Sequence, residues 1–242
     1  MVIIADEFFT GIPNMHSIRG SKPRIPDNYL KALDQVLEGV NDEKLLGLAG
    51  DRPTAEGLFL PESYRYERGD SDWDILQRAH AALNETLAQS WQGREDNLPY
   101  ESPYEALIMA SIVERETGVP EERAEIAGVF VRRMRRGMRL QTDPTIIYGL
   151  GESFDGDIRY RDLRRDTPYN TYLHHGLTPT PIALPGADAI HAALHPADSD
   201  AIYFVSKGDG THHFSTTLEE HNAAVSKYQL KGRKPNRPAE PG

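Results

Sequence analysis

Apolar residues recur at helical spacing along much of the chain. From Asp27 to Val40, the positions Tyr29, Leu30, Leu33, Val36, Leu37 and Val40 share one face and predict a short amphipathic helix ending around Gly39. Over 71–92, Trp73, Leu76, Ala79, His80, Leu83, Leu87 and Trp91 form a single apolar stripe, which predicts a long helix laid on a core by one face. The pattern differs between them. Glu56-Gly57-Leu58-Phe59-Leu60-Pro61-Glu62-Ser63-Tyr64-Arg65-Tyr66 is aromatic and partly alternating, so it reads as strand or extended chain broken at Pro61. Residues 93–100 are polar and read as a connection.

The most informative stretch begins at Ser102. Ser102-Pro103-Tyr104-Glu105 joins an N-cap serine, a proline at the first helical position and a glutamate three residues past the cap, a capping box. The helix it starts runs on as Ala106-Leu107-Ile108-Met109-Ala110-Ser111-Ile112-Val113, apolar on every face and therefore central, and ends in Glu114-Arg115-Glu116-Thr117 before Gly118. Such a helix brings two carboxyls to the edge of the interior. Desolvation and the negative end of the helix dipole would both favour a protonated carboxyl there, as a general acid requires. The helical wheel leaves two candidates open. Glu114 aligns with Leu107, Ala110 and Ser111, and Glu116 with Met109, Ile112 and Val113; the bland alternative is a solvated helix end.

A second helix follows, from Pro120-Glu121-Glu122 through Ile126, Val129, Phe130 and Met134. Arg132, Arg133, Arg135 and Arg136 lie near its end and read as a solvated face complementing the dipole, with contact to an anionic partner as the alternative. Beyond it, Gln141-Thr142-Asp143-Pro144-Thr145-Ile146-Ile147-Tyr148-Gly149 and Tyr169-Asn170-Thr171-Tyr172 gather amides, hydroxyls and rings on segments that look like loops. Carbohydrate sites use that chemistry. Ala187–Leu194 reads as a short helix, 201–206 and 211–215 as a hairpin about Lys207-Gly208-Asp209-Gly210, Thr217–Tyr228 as a helix, and 231–242 as a disordered tail.

Composition narrows the classes. The chain has 242 residues, 38% of them hydrophobic, enough for a sizeable core. With no cysteine it has no disulfide framework, thiolate metal site, iron–sulfur cluster or cysteine nucleophile. A net charge of -10 argues against a nucleic-acid partner, the one local basic run being 132–139. The start, MVIIADEFFTGIPNMHS, lacks a basic lead and a long apolar core, and no stretch approaches the roughly 18 apolar residues of a membrane span, so the chain is expected to be soluble as it stands. The histidine pairs His174-His175 and His212-His213, with His191, His195 and His221, raise a metal-dependent hydrolase as a second reading. No H-E-x-x-H supports it, and neither a metal nor another cofactor is expected.

The run Met109-Ala110-Ser111-Ile112-Val113-Glu114-Arg115-Glu116-Thr117 closely resembles the "ASIVE-x-E" helix of the MltG (YceG-like) endolytic murein transglycosylases. Family-like pieces follow in order: Val129-Phe130-Val131-Arg132-Arg133, Met138-Arg139-Leu140-Gln141-Thr142-Asp143-Pro144-Thr145, Tyr169-Asn170-Thr171-Tyr172, Pro185-Gly186, Tyr203-Phe204-Val205, Gly210-Thr211-His212-His213-Phe214 and Glu220-His221-Asn222. Glu56 to Tyr64 is similar to the family's "EG-x-x-x-P-x-x-Y" element, so the resemblance spans about 55–228. It implies a bacterial envelope lyase at the periplasmic face of the inner membrane, cutting nascent peptidoglycan beside the synthases (penicillin-binding proteins). It implies Glu114 as acid and then base, with Glu116 the lesser candidate. Gln141, Asp143, Tyr148, Tyr169, Asn170, Thr171, Tyr172 and His212 are expected to contact substrate or orient Glu114. A peptidoglycan-binding scaffold that does not cut is the alternative. Family members begin with a cytoplasmic tail, a membrane helix and a LysM-like module; this sequence shows no such anchor, and 1–54 match that module poorly. The expected architecture is α+β: a small N-terminal module over 1–66, a mostly helical catalytic domain over 67–230 with a C-terminal hairpin, and the tail 231–242.

Overall fold

The structure, a computed structural model, describes residues 2–3, 42–65 and 67–230. The helix expected over 27–40 and the tail 231–242 lie outside the described residues, as does most of the expected N-terminal module. The elements in chain order are β1 (Val2–Ile3), α1 (Asp42–Ala49), β2 (Ser63–Tyr64), α2 (Asp72–Gln92), α3 (Pro103–Glu116), a 3₁₀ turn Pro120–Glu122 leading into α4 (Arg123–Arg135), α5 (Asp143–Leu150), α6 (Ala187–Leu194), β3 (Tyr203–Ser206), β4 (His212–Ser215) and α7 (Leu218–Tyr228). Helices dominate. The strands form two small antiparallel pairs, β1 with β2 and β3 with β4, so the architecture is α+β.

The centre is α3. Every residue from Ala106 to Val113 is buried, because apolar side chains leave no face of this helix that water favours. Ser102 caps its start by accepting the N–H of Glu105 at 3.3 Å. The capping box is only half formed: the Glu105 carboxylate accepts the N–H of Glu101, one residue upstream of the cap. The most extensive partner of α3 is the alanine-rich α6, and α2 and α4 flank the pair. Ile75, Leu76, Ala79, Leu83 and Leu87 are the buried face of α2, the stripe its spacing predicts.

Leu45, Leu58, Phe59 and Leu60 are buried in the same core as α2, α3 and α6. The Leu60 N–H bonds Ala79 O at 3.2 Å, and Leu58 O meets His80 Nδ1 at 2.9 Å, stitching this stretch onto α2. Among the described residues of the extended segment only Ser63–Tyr64 is strand; residues 54–60 instead turn through Gly57, at φ +77°, and pass into the interior.

Two other expectations are corrected. Residues 143–150 form a helix rather than a loop: Thr142 is its N-cap residue, with Asp143 and Pro144 in its first turn, a start signal that the surrounding polar residues disguised. Arg132 and Arg133 are not a solvated face. Arg132 donates to Ala201 O at 2.6 Å and Ala197 O at 2.8 Å, while the buried Arg133 donates to Arg139 O at 2.8 Å, to Ile202 O at 3.1 Å and to the Gln141 side chain. Buried guanidiniums need acceptors, and here the backbone leading into the hairpin supplies them. The hairpin has the expected register, Tyr203 opposite Ser215 and Ser206 opposite His212, and Phe204 meets Phe130 of α4 edge-on at 5.7 Å.

Candidate active site

The C-terminal turn of α3 presents its two carboxyls to different neighbours, because residues two apart on a helix do not share a face. Glu114, partly exposed, points toward α6. Its Oε2 accepts the Gly186 N–H at 3.1 Å, and its Oε1 lies 3.6 Å from Arg123 Nη2. The other arm of Arg123 lies 3.6 Å from Asp188, and its buried Nε has no hydrogen-bond partner among the described residues. The Gly186 N–H is presented by the loop 181–186, itself moored to α3 where Ile182 N–H donates to Ser111 Oγ at 2.9 Å.

Glu116 turns the other way and accepts the hydroxyl of Thr142. Burial, with Asp143 nearby, pushes its carboxyl up to about 7 against the pull of that hydrogen bond. The carboxyl that burial raises at this helix end is therefore that of Glu116, whereas the guanidinium and N–H facing Glu114 suit a carboxylate.

Around Glu116 the structure brings several expected residues together. Gln141 holds φ +56°, a costly conformation for a side-chain-bearing residue, fixed by its N–H on Thr171 O at 3.2 Å and by Arg133 on its side chain. Thr171 Oγ1 accepts the Thr142 N–H at 3.1 Å and meets Thr145 Oγ1 at 2.8 Å; Tyr172 donates to the exposed Asp143 at 2.7 Å. Asn170 is a brace, donating to Leu163 O and Arg165 O and accepting the Tyr172 N–H.

The remaining expected residues are not at the same surface. Tyr148 and Tyr169 are buried against each other, ring centres 4.8 Å apart, with Tyr169 Oη 2.9 Å from Thr180 Oγ1; burial raises both phenols, that of Tyr169 to about 12. They support the loops from beneath. His212 stands apart at the hairpin, its ring and backbone N–H both held by Glu122. Among the described residues no three His, Asp or Glu side chains converge in a way that could hold a metal ion.

Sequence reasoning missed Arg123, Glu122, Thr142 and the Gly186 N–H. Arg123 carried a signal: a cation in the first turn of a helix opposes the dipole and needs another reason to be there. Nothing in the sequence announced that a backbone N–H of residue 186 would meet Glu114.

Fold and site together define an α+β domain built on one central helix that ends in two carboxyls. Residues 15–227 match the model of the YceG-like family, and the chain belongs to that family. It is 38% identical over 173 residues to an endolytic murein transglycosylase of Bacillus subtilis (strain 168), covering 72% of this chain and 48% of the relative. The endolytic murein transglycosylase of Streptococcus pneumoniae serotype 2 is 31% identical over 187 residues, covering 74% and 33%. A crystal structure of a yceG-like protein from Listeria monocytogenes superposes with a TM-score of 0.61 at 33% identity, covering 81% of this chain and 63% of that one. The chain thus spans half or less of the length of these curated relatives. Among the described residues no helix is long and apolar enough to cross a membrane.

Proposed function

We propose that the protein is an endolytic peptidoglycan lytic transglycosylase acting at the bacterial cell envelope, with Glu114 as its acid and base. The observation that carries the reading is Glu114 itself: a partly exposed carboxyl next to the buried run Ala106–Val113 of the central helix, gripped through one oxygen by a backbone N–H and faced at the other by Arg123. A reacting group must be held by rigid elements and still reach its substrate, and this one is.

Glu114 protonates the glycosidic oxygen between N-acetylmuramic acid and N-acetylglucosamine, so the C1–O bond breaks with the N-acetylglucosamine hydroxyl as leaving group. It then takes the proton of the muramoyl C6 hydroxyl as that oxygen bonds to C1, leaving a 1,6-anhydro end. The carboxyl is restored and no water is consumed. Ordinary glycosidases need a second carboxylate for a nucleophile or a water, but here the nucleophile belongs to the substrate, so one carboxyl suffices. Sugar binding over the site removes water and weakens the ionised form that Arg123 and Gly186 favour, readying Glu114 to carry a proton.

Gln141, Asp143 and Tyr172 are the proposed glycan contacts near the end of α3, and His212 is a proposed contact at the hairpin. Tyr148, Tyr169, Asn170 and Thr171 act from beneath by holding the loops. Penicillin-binding proteins are the proposed partners, since an enzyme cutting new strands works where they are made.

The test is mass spectrometry of the products released from uncrosslinked peptidoglycan strands, with a chelator present, by the wild type and Glu114→Gln. Anhydro-ended internal fragments from the wild type alone are expected. Reducing ends would overturn the mechanism, and glycan retained without cleavage by either protein would favour a binding scaffold.

A further inference from the structure

Glu122 has no part in the chemistry described above, yet it is one of the more firmly engaged carboxylates of the chain. It closes the 3₁₀ turn before α4, is the immediate neighbour of Arg123, and reaches across to the hairpin. Its Oε1 accepts the backbone N–H of His212 at 2.9 Å and its Oε2 meets His212 Nδ1 at 2.8 Å. Both side chains are largely enclosed, with 14% and 11% of their surface exposed. The imidazole stands edge-on to Phe204, ring centres 5.4 Å apart, with Phe214 at 6.4 Å, so it has little freedom to turn.

A carboxylate only accepts hydrogen bonds, so the contact places the proton on Nδ1. Nε2 is then the ring's free end, and it has no hydrogen-bond partner among the described residues. A carboxylate behind Nδ1 and a free Nε2 in front is the arrangement by which an orienting acid fixes a working histidine in one tautomer. The same carboxylate also seats the hairpin on the start of α4, the turn from which Arg123 reaches Glu114.

We propose that Glu122 is a positioning residue: it fixes His212 in the Nδ1–H tautomer, so that Nε2 is presented as a hydrogen-bond acceptor to a glycan hydroxyl at the hairpin. The inference rests on the transglycosylase reading of Glu114. It assigns the hairpin a direct part in holding the substrate and gives Glu122 a role that acts through the histidine. Glutamine at 122 keeps the size of the side chain but cannot accept at both atoms, so the tautomer is no longer imposed.

The experiment uses the full chain with ¹⁵N-labelled histidine and compares wild type, Glu122→Gln, His212→Asn and the double variant. The ring signal that disappears in His212→Asn identifies His212. Expected are an Nδ1–H ring in the wild type, loss of that signature in Glu122→Gln at a nearly unchanged melting temperature, and at least about a tenfold fall in product release. The double variant is expected to be no slower than His212→Asn alone, because a residue acting through another adds nothing once that other is gone. An Nε2–H ring in the wild type, activity of Glu122→Gln within about threefold of wild type, or losses that multiply in the double variant would each overturn the proposal. Should Glu122→Gln fail to fold, the wild-type tautomer and the fall in His212→Asn decide it. Should the wild type release no product, the reading of Glu114 fails first, and the ring signal still reports separately whether Glu122 sets the tautomer.

Discussion

At the scale of single residues, the two glutamates that end α3 are chemically alike and placed in opposite electrostatic settings. Glu114 faces a guanidinium and an N–H; Glu116 is desolvated and sits near Asp143, its carboxyl pushed up to about 7. The second setting makes stability depend on pH. Between the ordinary glutamate value of 4.5 and about 7, the unfolded chain has lost this proton while the folded chain keeps it. The folded state binds more protons in that window, so stability falls as pH rises. The contribution is complete below about 4.5 and is lost through 7, amounting at most to about 3 kcal/mol. Glu116→Gln cannot ionise and loses that slope. Thermal melts at pH 5, 6, 7 and 8 should show the wild type losing about 5–10 °C relative to the variant across the range. Parallel curves would mean that Glu116 is ionised throughout. Arg123 permits a second test at this scale: Arg123→Gln should slow product release at least about tenfold, because Glu114 loses the cation that orients it, with little change in melting temperature.

The elements differ in how plainly the sequence announced them. The local signals made these elements legible: Ser102, Pro103 and the apolar run for α3, the single stripe for α2 and the turn Lys207-Gly208-Asp209-Gly210 for the hairpin. Asp143–Leu150 was obscured because its start, Thr142-Asp143-Pro144, sits among polar residues that read as a loop; in the fold Thr142 gives its hydroxyl to Glu116 and does not cap its own helix. The paired glutamates were visible as candidates, but their settings come from residues far along the chain, Gly186 in one case and Thr142 in the other. The same holds for Gly57. A Cβ there would lie 2.4 Å from Pro181 Cβ, and the residue sits at φ +77°. Nothing near it in sequence predicts that contact. Gly57→Ala should therefore destabilise the protein by about 2 kcal/mol or more, combining the strained conformation with the clash. It should also cut activity at temperatures where the protein is still folded, since Pro181 opens the loop whose Gly186 N–H holds Glu114. Denaturant titration and product release measured at low temperature separate the two effects.

For the whole molecule, the question is where the working unit begins. The pattern along the chain and the family resemblance suggested a small module over 1–66 and a catalytic domain over 67–230, and that division is a proposal about folding that can be tested. Leu58 and Phe59 are fully buried among α2, α3 and α6, Leu60 nearly so, and the 54–60 stretch is tied to α2 by the Leu60 N–H on Ala79 O and by the His80 ring on Leu58 O. Truncating one buried phenylalanine to alanine costs about 3–5 kcal/mol. Removing the whole stretch deletes Leu45 and Leu58 as well, a loss comparable with the roughly 5–15 kcal/mol that holds an ordinary domain together. A chain of 67–230 should consequently give no cooperative melt, whereas 42–230 should melt in one transition and retain cleavage of peptidoglycan strands. A cooperative melt of 67–230 within a few degrees of the longer chain would restore the boundary at 66. The expected result instead makes the Glu56-Gly57 element part of the catalytic body: its glycine admits Pro181, and Pro181 leads the loop to the N–H that grips Glu114.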